Sequence, residues 1–85
     1  MKTIKHLIVS KDGLLWKKAN KFVNVCSNFK SDITVSATYK TVNAKSILAV
    51  LYLRATQYSY IEITICGTDE DLAQIVIKEF LNDNL

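Results

Sequence analysis

The chain has 85 residues, of which 49% are apolar and 22% charged, a composition typical of a globular domain rather than of a disordered segment. No apolar run approaches the roughly 20 residues that a membrane span needs, and the amino-terminal residues lack the hydrophobic stretch of a signal peptide. These features predict one domain over residues 1–85 and a cytoplasmic location.

The net charge of +3 conceals a strong asymmetry between the two parts of the chain. Residues 1–54 carry ten Lys/Arg and two acids, a net +8, whereas residues 55–85 carry one Lys and six acids, a net −5. Such a separation favours electrostatic steering towards an acidic partner. The sequence has no arginine cluster and no aromatic-basic motif, so direct binding to nucleic acid is not expected.

The residues that could ligate a metal are few and badly spaced for that purpose. Cys26 and Cys66 lie far apart, and neither forms a recognised zinc spacing with the single histidine, His6. We therefore expect no metal and no cofactor, and we expect both cysteines to be free thiols in a reducing compartment.

The first elements in chain order are a strand and an amphipathic helix. Lys2–Val9 reads as a strand with a structural or edge histidine at its centre, and Leu15–Phe29 has helical apolar spacing. Three lysines lie near the start of this helix, where the positive end of the helix dipole makes positive charge mildly unfavourable. They either face solvent or bind an anion that relieves this cost. The inward stripe of the helix is expected to contain Ala19, Phe22, Val23 and Cys26, and the lysines are Lys17, Lys18 and Lys21.

The middle of the chain predicts two short strands, Asp32–Ala37 and Thr41–Val42, followed by a short helix from Ser46 to Leu53. Ser46 is placed to cap this helix. The residues after it carry no charge, so the helix is either wholly buried or presents an apolar patch. A phosphate on Ser46 would be favoured by the helix dipole, by roughly 0.3–1 kcal/mol. The alternative is a serine that only caps a core helix.

The last part of the chain begins with a clear alternation of isoleucines and other residues. Tyr60–Cys66 predicts a strand with its isoleucines inward, and Thr68 or Asp69 is placed to cap a final helix. The predicted class is α+β, with three helices on one side of a four-stranded, mostly antiparallel sheet. The apolar face of the last helix is predicted to consist of Leu72, Ile75, Val76, Phe80 and Leu81.

Several of these segments resemble the HPr family, the small phosphocarriers of the bacterial phosphoenolpyruvate-dependent sugar phosphotransferase system. The most specific segment is Asn43-Ala44-Lys45-Ser46-Ile47, and Gly13-Leu14 and Gly67-Thr68-Asp69-Glu70 add to it. The resemblance covers nearly the whole chain and implies the open-faced β-sandwich of that family.

The segment of this chain that corresponds to the phosphocarrier motif of that family differs strongly from the motif. The family motif is Gly-Leu-His-x-Arg-Pro-Ala, whereas residues 13–19 read Gly-Leu-Leu-Trp-Lys-Lys-Ala. The resemblance therefore puts Leu15 at the phosphohistidine position and Lys17 at that of the phosphate-binding arginine. Leucine has no nucleophilic atom, so no catalytic residue and no enzymatic activity are expected.

The regulatory serine of the family is matched by Ser46. By resemblance, HPr kinase/phosphorylase would phosphorylate it, and the product would bind a catabolite-control repressor, as for catabolite repression HPr, which also lacks the histidine. The partner-binding residues implied are Ile47, Leu48 and Leu51 of an exposed patch, with Val50 and Leu53 in the core. Leu15, Trp16 and Lys17 complete the expected partner surface.

Two further expectations concern loops and assembly. The family usually has glycines where Tyr39, Arg54 and Tyr58 stand, which predicts altered turns. An alternative to the phosphorylated switch is a constitutive protein-binding module that binds unmodified, with Leu15, Trp16 and the Ile47–Leu51 patch forming one interface. The apolar surface residues are also consistent with a weak homodimer.

Overall fold

The structure is a computed structural model that describes residues 1–85. The order of elements predicted from the sequence is confirmed, and the strands Asp32–Ala37 and Tyr60–Cys66 match residue for residue. None of the three helices combines the length and the apolar composition that crossing a bilayer requires. The elements are β1 (Lys2–Leu7), α1 (Trp16–Ser27), β2 (Asp32–Ala37), β3 (Lys40–Asn43), α2 (Ile47–Leu53), β4 (Tyr60–Cys66) and α3 (Glu70–Asn84).

The sheet has the strand order β1-β4-β2-β3, and every pairing is antiparallel. Ile63 at the centre of β4 lies opposite Ile4 of β1 and Val35 of β2, and all three side chains are buried. Because side chains alternate along a strand, the neighbouring row is polar and consists of threonines. The apolar face of the sheet packs against the helices, and the polar face stays open, as predicted.

Helix α1 packs the predicted stripe against this sheet. Ala19, Phe22 and Cys26 are fully buried, whereas Val23 is half-buried at the margin. The ring of Phe22 meets that of Phe80 from α3, with 6.1 Å between the ring centroids. This tilted aromatic pair joins the two longest helices above the sheet.

The apolar face predicted for α3 was partly wrong. Leu72 and Ile75 are 58% and 59% exposed, and the buried residues are Ala73, Ile77 and Leu81. A spacing of four residues forms one straight stripe along a helix, and the small side chain of Ala73 lets α3 approach the sheet closely. The larger residues therefore lie beside or outside the contact.

The predicted cap of α3 is confirmed in position but not in its hydrogen bonding. Asp69 occupies the N-cap position, but its side chain makes no hydrogen bond to the first turn of the helix. Its carboxylate accepts instead from the backbone N–H groups of Lys30 and Ser31, at 2.8 and 3.0 Å. Gly67 packs so tightly beside this turn that a Cβ would lie 2.5 Å from the Ser31 hydroxyl oxygen. The carboxylate thus closes the α1–β2 turn rather than its own helix.

Candidate docking site beside helices α1 and α2

The loop before α1 is held in place by the segment that follows α2. Leu14 is fully buried, and its N–H donates to the carbonyl of Ala55 at 2.8 Å. Gly13 has φ +62° and runs so close to Ala55 that a Cβ would lie 2.5 Å from the Ala55 oxygen. Only glycine tolerates both the left-handed conformation and this approach. The loop therefore delivers the next residue, Leu15, to the start of α1.

Leu15 is the N-cap residue of α1, and no side chain caps the free N–H groups there. Its side chain is half-buried, and its carbonyl accepts from the N–H of Lys18 at 3.2 Å. Trp16 follows with φ 52° and is 75% exposed. A bulky residue in the left-handed region is strained, and such strain concentrates at functional sites.

The start of α2 is built by a compact turn. The side-chain oxygen of Asn43 accepts from the N–H of Lys45 at 2.9 Å, and the Lys45 ammonium donates to the Phe29 carbonyl at 2.6 Å. Ser46 then takes the predicted N-cap position, and its hydroxyl accepts from the N–H of Ala49 at 3.4 Å. This capping bond is long, so it contributes little to holding the hydroxyl.

The exposure of α2 differs from the expectation for two residues. Val50 and Leu53 are buried as expected, and Leu48 is 77% exposed. Ile47 and Leu51 were expected to be exposed, but both are partly buried and pack against the core. They flank the buried side of a short helix, because Ile47 lies three residues before Val50 and Leu51 lies four residues after Ile47.

The structure brings the start of α1 and the end of α2 to one groove of about 380 Å³, which Ser46 at the start of α2 does not line. The lining residues are Leu15, Trp16, Leu51, Arg54 and Thr56. Three of the five lining side chains are apolar, which suits a protein side chain better than a small polar ligand. Lys17 lies instead beside a neighbouring depression, with Trp16 between the two. Sequence reasoning missed Arg54 and Thr56 as groove residues, since an irregular loop carries no periodic signal.

The three turn positions expected to lack a family glycine behave differently from one another. Arg54 and Tyr58 have φ 52° and 67°, so each adopts a conformation that favours glycine. Tyr39 does not, and the left-handed residue of the β2–β3 turn is its neighbour Thr38. The left-handed position of this turn is therefore one residue before the one expected from the family glycine.

The remaining reactive side chains lie away from the groove. His6 is half-buried in β1, and its Nε2 atom is buried without a hydrogen-bond partner. Cys26 is in the core, where burial raises the pKa of its thiol to about 12, and Cys66 is exposed. The two cysteines are free, as expected.

Comparison with known proteins gives a consistent result. Residues 2–83 match the family model described as the PTS HPr component phosphorylation site. The phosphocarrier protein HPr of Neisseria meningitidis serogroup A is 35% identical over 75 residues, which covers 88% of this chain and 84% of that protein.

Solved structures agree with the fold. The histidine-containing phosphocarrier protein of Mycoplasma superimposes with a TM-score of 0.93 at 32% identity, covering 96% of this chain and 93% of that one. The catabolite repression protein Crh of Bacillus subtilis, described as a swapped dimer, has a TM-score of 0.76 at 27% identity. That match covers 100% of this chain and 98% of Crh.

Proposed function

The chain belongs to the HPr family of the phosphotransferase system, and on that premise we propose that it is a non-enzymatic regulatory member switched by phosphorylation of Ser46. The observation that carries this proposal is the chemistry at the start of α1. Leu15 stands there and offers no atom that could accept a phosphoryl group. The single histidine, His6, lies in β1 with its Nε2 buried, so it is a poor substitute.

The surroundings of Ser46 support its role as the modified residue. Its hydroxyl is half-buried and makes one long bond, to the N–H of Ala49. A phosphate on this oxygen would meet the positive end of the α2 dipole, with Lys45 as the preceding residue. Leu48, two residues later, is 77% exposed, so the modification would alter the charge directly beside an apolar contact.

The partners proposed are proteins. An HPr kinase/phosphorylase would modify Ser46 with ATP in the cytoplasm. A catabolite-control repressor would bind the product through Leu48 and the groove between the start of α1 and the end of α2. The similarity to Crh, whose name refers to catabolite repression, supports this class of partner. Lys17 would retain the charge of an arginine without its bidentate fork, so we expect weaker binding than for an arginine at this position.

A second candidate is a constitutive protein-binding module in which Ser46 only caps α2. It is favoured by the exposure of Trp16 and Leu48 in the unmodified chain, at 75% and 77%. Both side chains are available for contact without any conformational change. The swapped dimer described for Crh adds a weak homodimer to the states that this proposal includes.

The two candidates differ in one measurement, the intact mass after incubation with ATP and an HPr kinase/phosphorylase. The switch requires a gain of one phosphate that Ser46→Ala abolishes and that the control Ser27→Ala, an exposed serine at the end of α1, retains. An ordinary HPr in the same tube reports that the kinase is active. Full conversion of that HPr with no change in this chain would refute the switch and favour the constitutive module.

A further inference from the structure

The aromatic residues of this chain are sorted by type between core and surface. The three phenylalanines are buried or pack against the core. The other aromatic side chains, each with a polar atom on its ring, are all on the surface. They are Trp16 (75% exposed), Tyr39 (99%), Tyr52 (63%), Tyr58 (71%) and Tyr60 (71%).

Contacts between loops place these rings at one end of the molecule. Tyr60, at the first position of β4, lines a depression with Thr38 of the β2–β3 turn, and Tyr39 is the next residue of that turn. The ammonium of Lys40 lies 4.3 Å from the ring centroid of Tyr52, at the end of α2. The β2–β3 turn is therefore continuous with both Tyr60 and Tyr52.

The loop after α2 extends this surface to the start of α1. Arg54 lines the same groove as Trp16. The N–H of Tyr58 donates to the carbonyl of Ile8, directly after β1, at 2.6 Å. We name the surface formed by the five exposed rings and the cations between them the aromatic end.

The cations of the aromatic end lack acidic partners. The ion pairs of the molecule are Met1 with Glu70, Lys2 with Asp71, and Lys5 with Glu62, where Lys5 lines the Tyr60 depression. The other cations near the rings form no ion pair, and the remaining acid beside them is Asp12. These unpaired cations are Lys17, Lys18, Lys21, Lys40 and Arg54.

We propose that the aromatic end binds single-stranded nucleic acid, with the exposed rings stacking on bases and the lysines neutralising phosphates. Exposed rings interleaved with unpaired cations are the two components of sequence-independent single-strand binding. A protein partner for the whole aromatic end fits less well, because four of its five unpaired cations are lysines, and lysine is depleted from protein–protein interfaces. The groove lined by Trp16 and Arg54 is the part of this surface that the proposed function assigns to protein contact, so the two ligands would compete there. A membrane surface also fits less well, since the rings come from several loops rather than from one amphipathic helix.

This proposal is independent of Ser46 and reverses the expectation from the sequence. No aromatic-basic motif was visible there, because the rings and cations come from segments separated along the chain. The fold alone brings them together. The Ser46→Ala variant should therefore bind nucleic acid as the unmodified chain does.

The test uses 5′-labelled oligouridylate and oligothymidylate of about 12 nucleotides, a length within the range that one small domain covers. We expect a rise in anisotropy of the label and quenching of Trp16, the single tryptophan of the chain. Between about 50 and 200 mM salt, log K should fall linearly with log[salt], with a slope of about −0.7 per phosphate contacted. Binding of either oligonucleotide supports the proposal, and the ratio of their affinities identifies RNA or DNA as the preferred source.

Variants separate stacking from simple charge attraction. Trp16→Ala and Tyr60→Ala should each weaken binding about fivefold or more, whereas Tyr60→Phe keeps the ring and should keep the affinity. Ile75→Ala and Lys78→Gln remove an exposed apolar side chain and a cation from α3, and they should change nothing.

Three outcomes would overturn the proposal. One is that neither oligonucleotide binds at low salt. Another is that polyglutamate of equal charge binds as tightly and that Tyr60→Ala binds the oligonucleotides normally, which would indicate an acidic protein partner. The third is binding to vesicles containing phosphatidylserine without binding to either oligonucleotide, which would indicate a lipid surface.

Discussion

Asp69, at the start of α3, binds Ser31 through both the backbone N–H and the hydroxyl of that residue, 38 positions earlier in the chain. Ser31 is almost fully buried, at 1% exposure, and it is the one polar side chain among the buried residues. A buried hydroxyl needs such a partner, because leaving it unpaired costs free energy. The pair therefore fastens the α1–β2 turn to the beginning of α3.

Replacing Asp69 by asparagine tests the importance of this pair. The amide keeps one acceptor but turns a donor towards groups that are themselves donors. We expect Asp69→Asn to lower the melting temperature by several degrees. The matched control is Asp71→Asn in the same helix, whose side chain is 83% exposed and pairs only with Lys2. An equal loss in both variants would contradict a special role for Asp69.

The same pair predicts how stability depends on pH. Hydrogen bonding from the Ser31 hydroxyl and nearby backbone N–H groups holds the pKa of Asp69 below its usual value of 3.8. A carboxyl with a lowered folded pKa stabilises the protein above its unfolded pKa and loses that effect as the pH falls through the folded pKa. The difference between the unmodified chain and Asp69→Asn should therefore shrink below about pH 4.

The measurement is urea unfolding at neutral and at acidic pH. The measurement needs a control for Glu70, whose pKa is lowered as well, because its carboxylate pairs with the amino terminus. Both chains should carry Glu70→Gln so that only Asp69 titrates differently. A difference that stays constant down to about pH 2 would contradict the linkage.

Two loop substitutions should have effects of opposite sign. Gly13→Ala adds a Cβ at φ +62°, 2.5 Å from the Ala55 oxygen, and should destabilise the fold by about 1–3 kcal/mol. Arg54 ends α2 in the left-handed conformation, so Arg54→Gly should stabilise by up to about 1 kcal/mol. Chemical unfolding of both variants at neutral pH checks the prediction. Destabilisation by Arg54→Gly would show that its side chain outweighs the backbone strain.

The two cysteines should react at very different rates with a thiol reagent such as Ellman's reagent. At pH 8, a pKa of about 12 leaves roughly one Cys26 thiolate in ten thousand, and the side chain is also buried. We expect one fast thiol in the native protein and a second only after denaturation. Cys66→Ser should abolish the fast reaction, and a surviving fast reaction would mean that Cys26 becomes accessible.

Strands β2 and β4 were predictable because apolar and polar residues alternate strictly along them. This two-residue period can be read from a few neighbouring residues. The inward face of α3 was harder to predict, since alanine is only weakly apolar. Ala73 is nevertheless buried and Leu72 exposed, because α3 lies close to the sheet and only a small side chain fits between them. The partner of Asp69 was not predictable at all. A serine 38 residues away has no mark in the sequence that distinguishes it from any other serine.

The candidate docking site was predictable in parts. Ser46 as a helix cap followed from the residue type and the apolar run after it, and the structure has it there. Trp16 and Leu51 were expected on one partner surface, and both line the groove. Arg54 was not expected there, because its place in the groove depends on how α1 and α2 pack. The partial burial of Ile47 and Leu51 depends on the same packing.

The sorting of aromatic side chains also determines what optical spectroscopy can report. Trp16 and the tyrosines are already largely in water in the native state, so their emission should change little when the chain denatures. Far-ultraviolet circular dichroism will therefore follow unfolding better than intrinsic fluorescence. Conversely, a large change in the emission of Trp16 will indicate that a ligand or partner has bound at the protein surface, because unfolding itself contributes little to such a change.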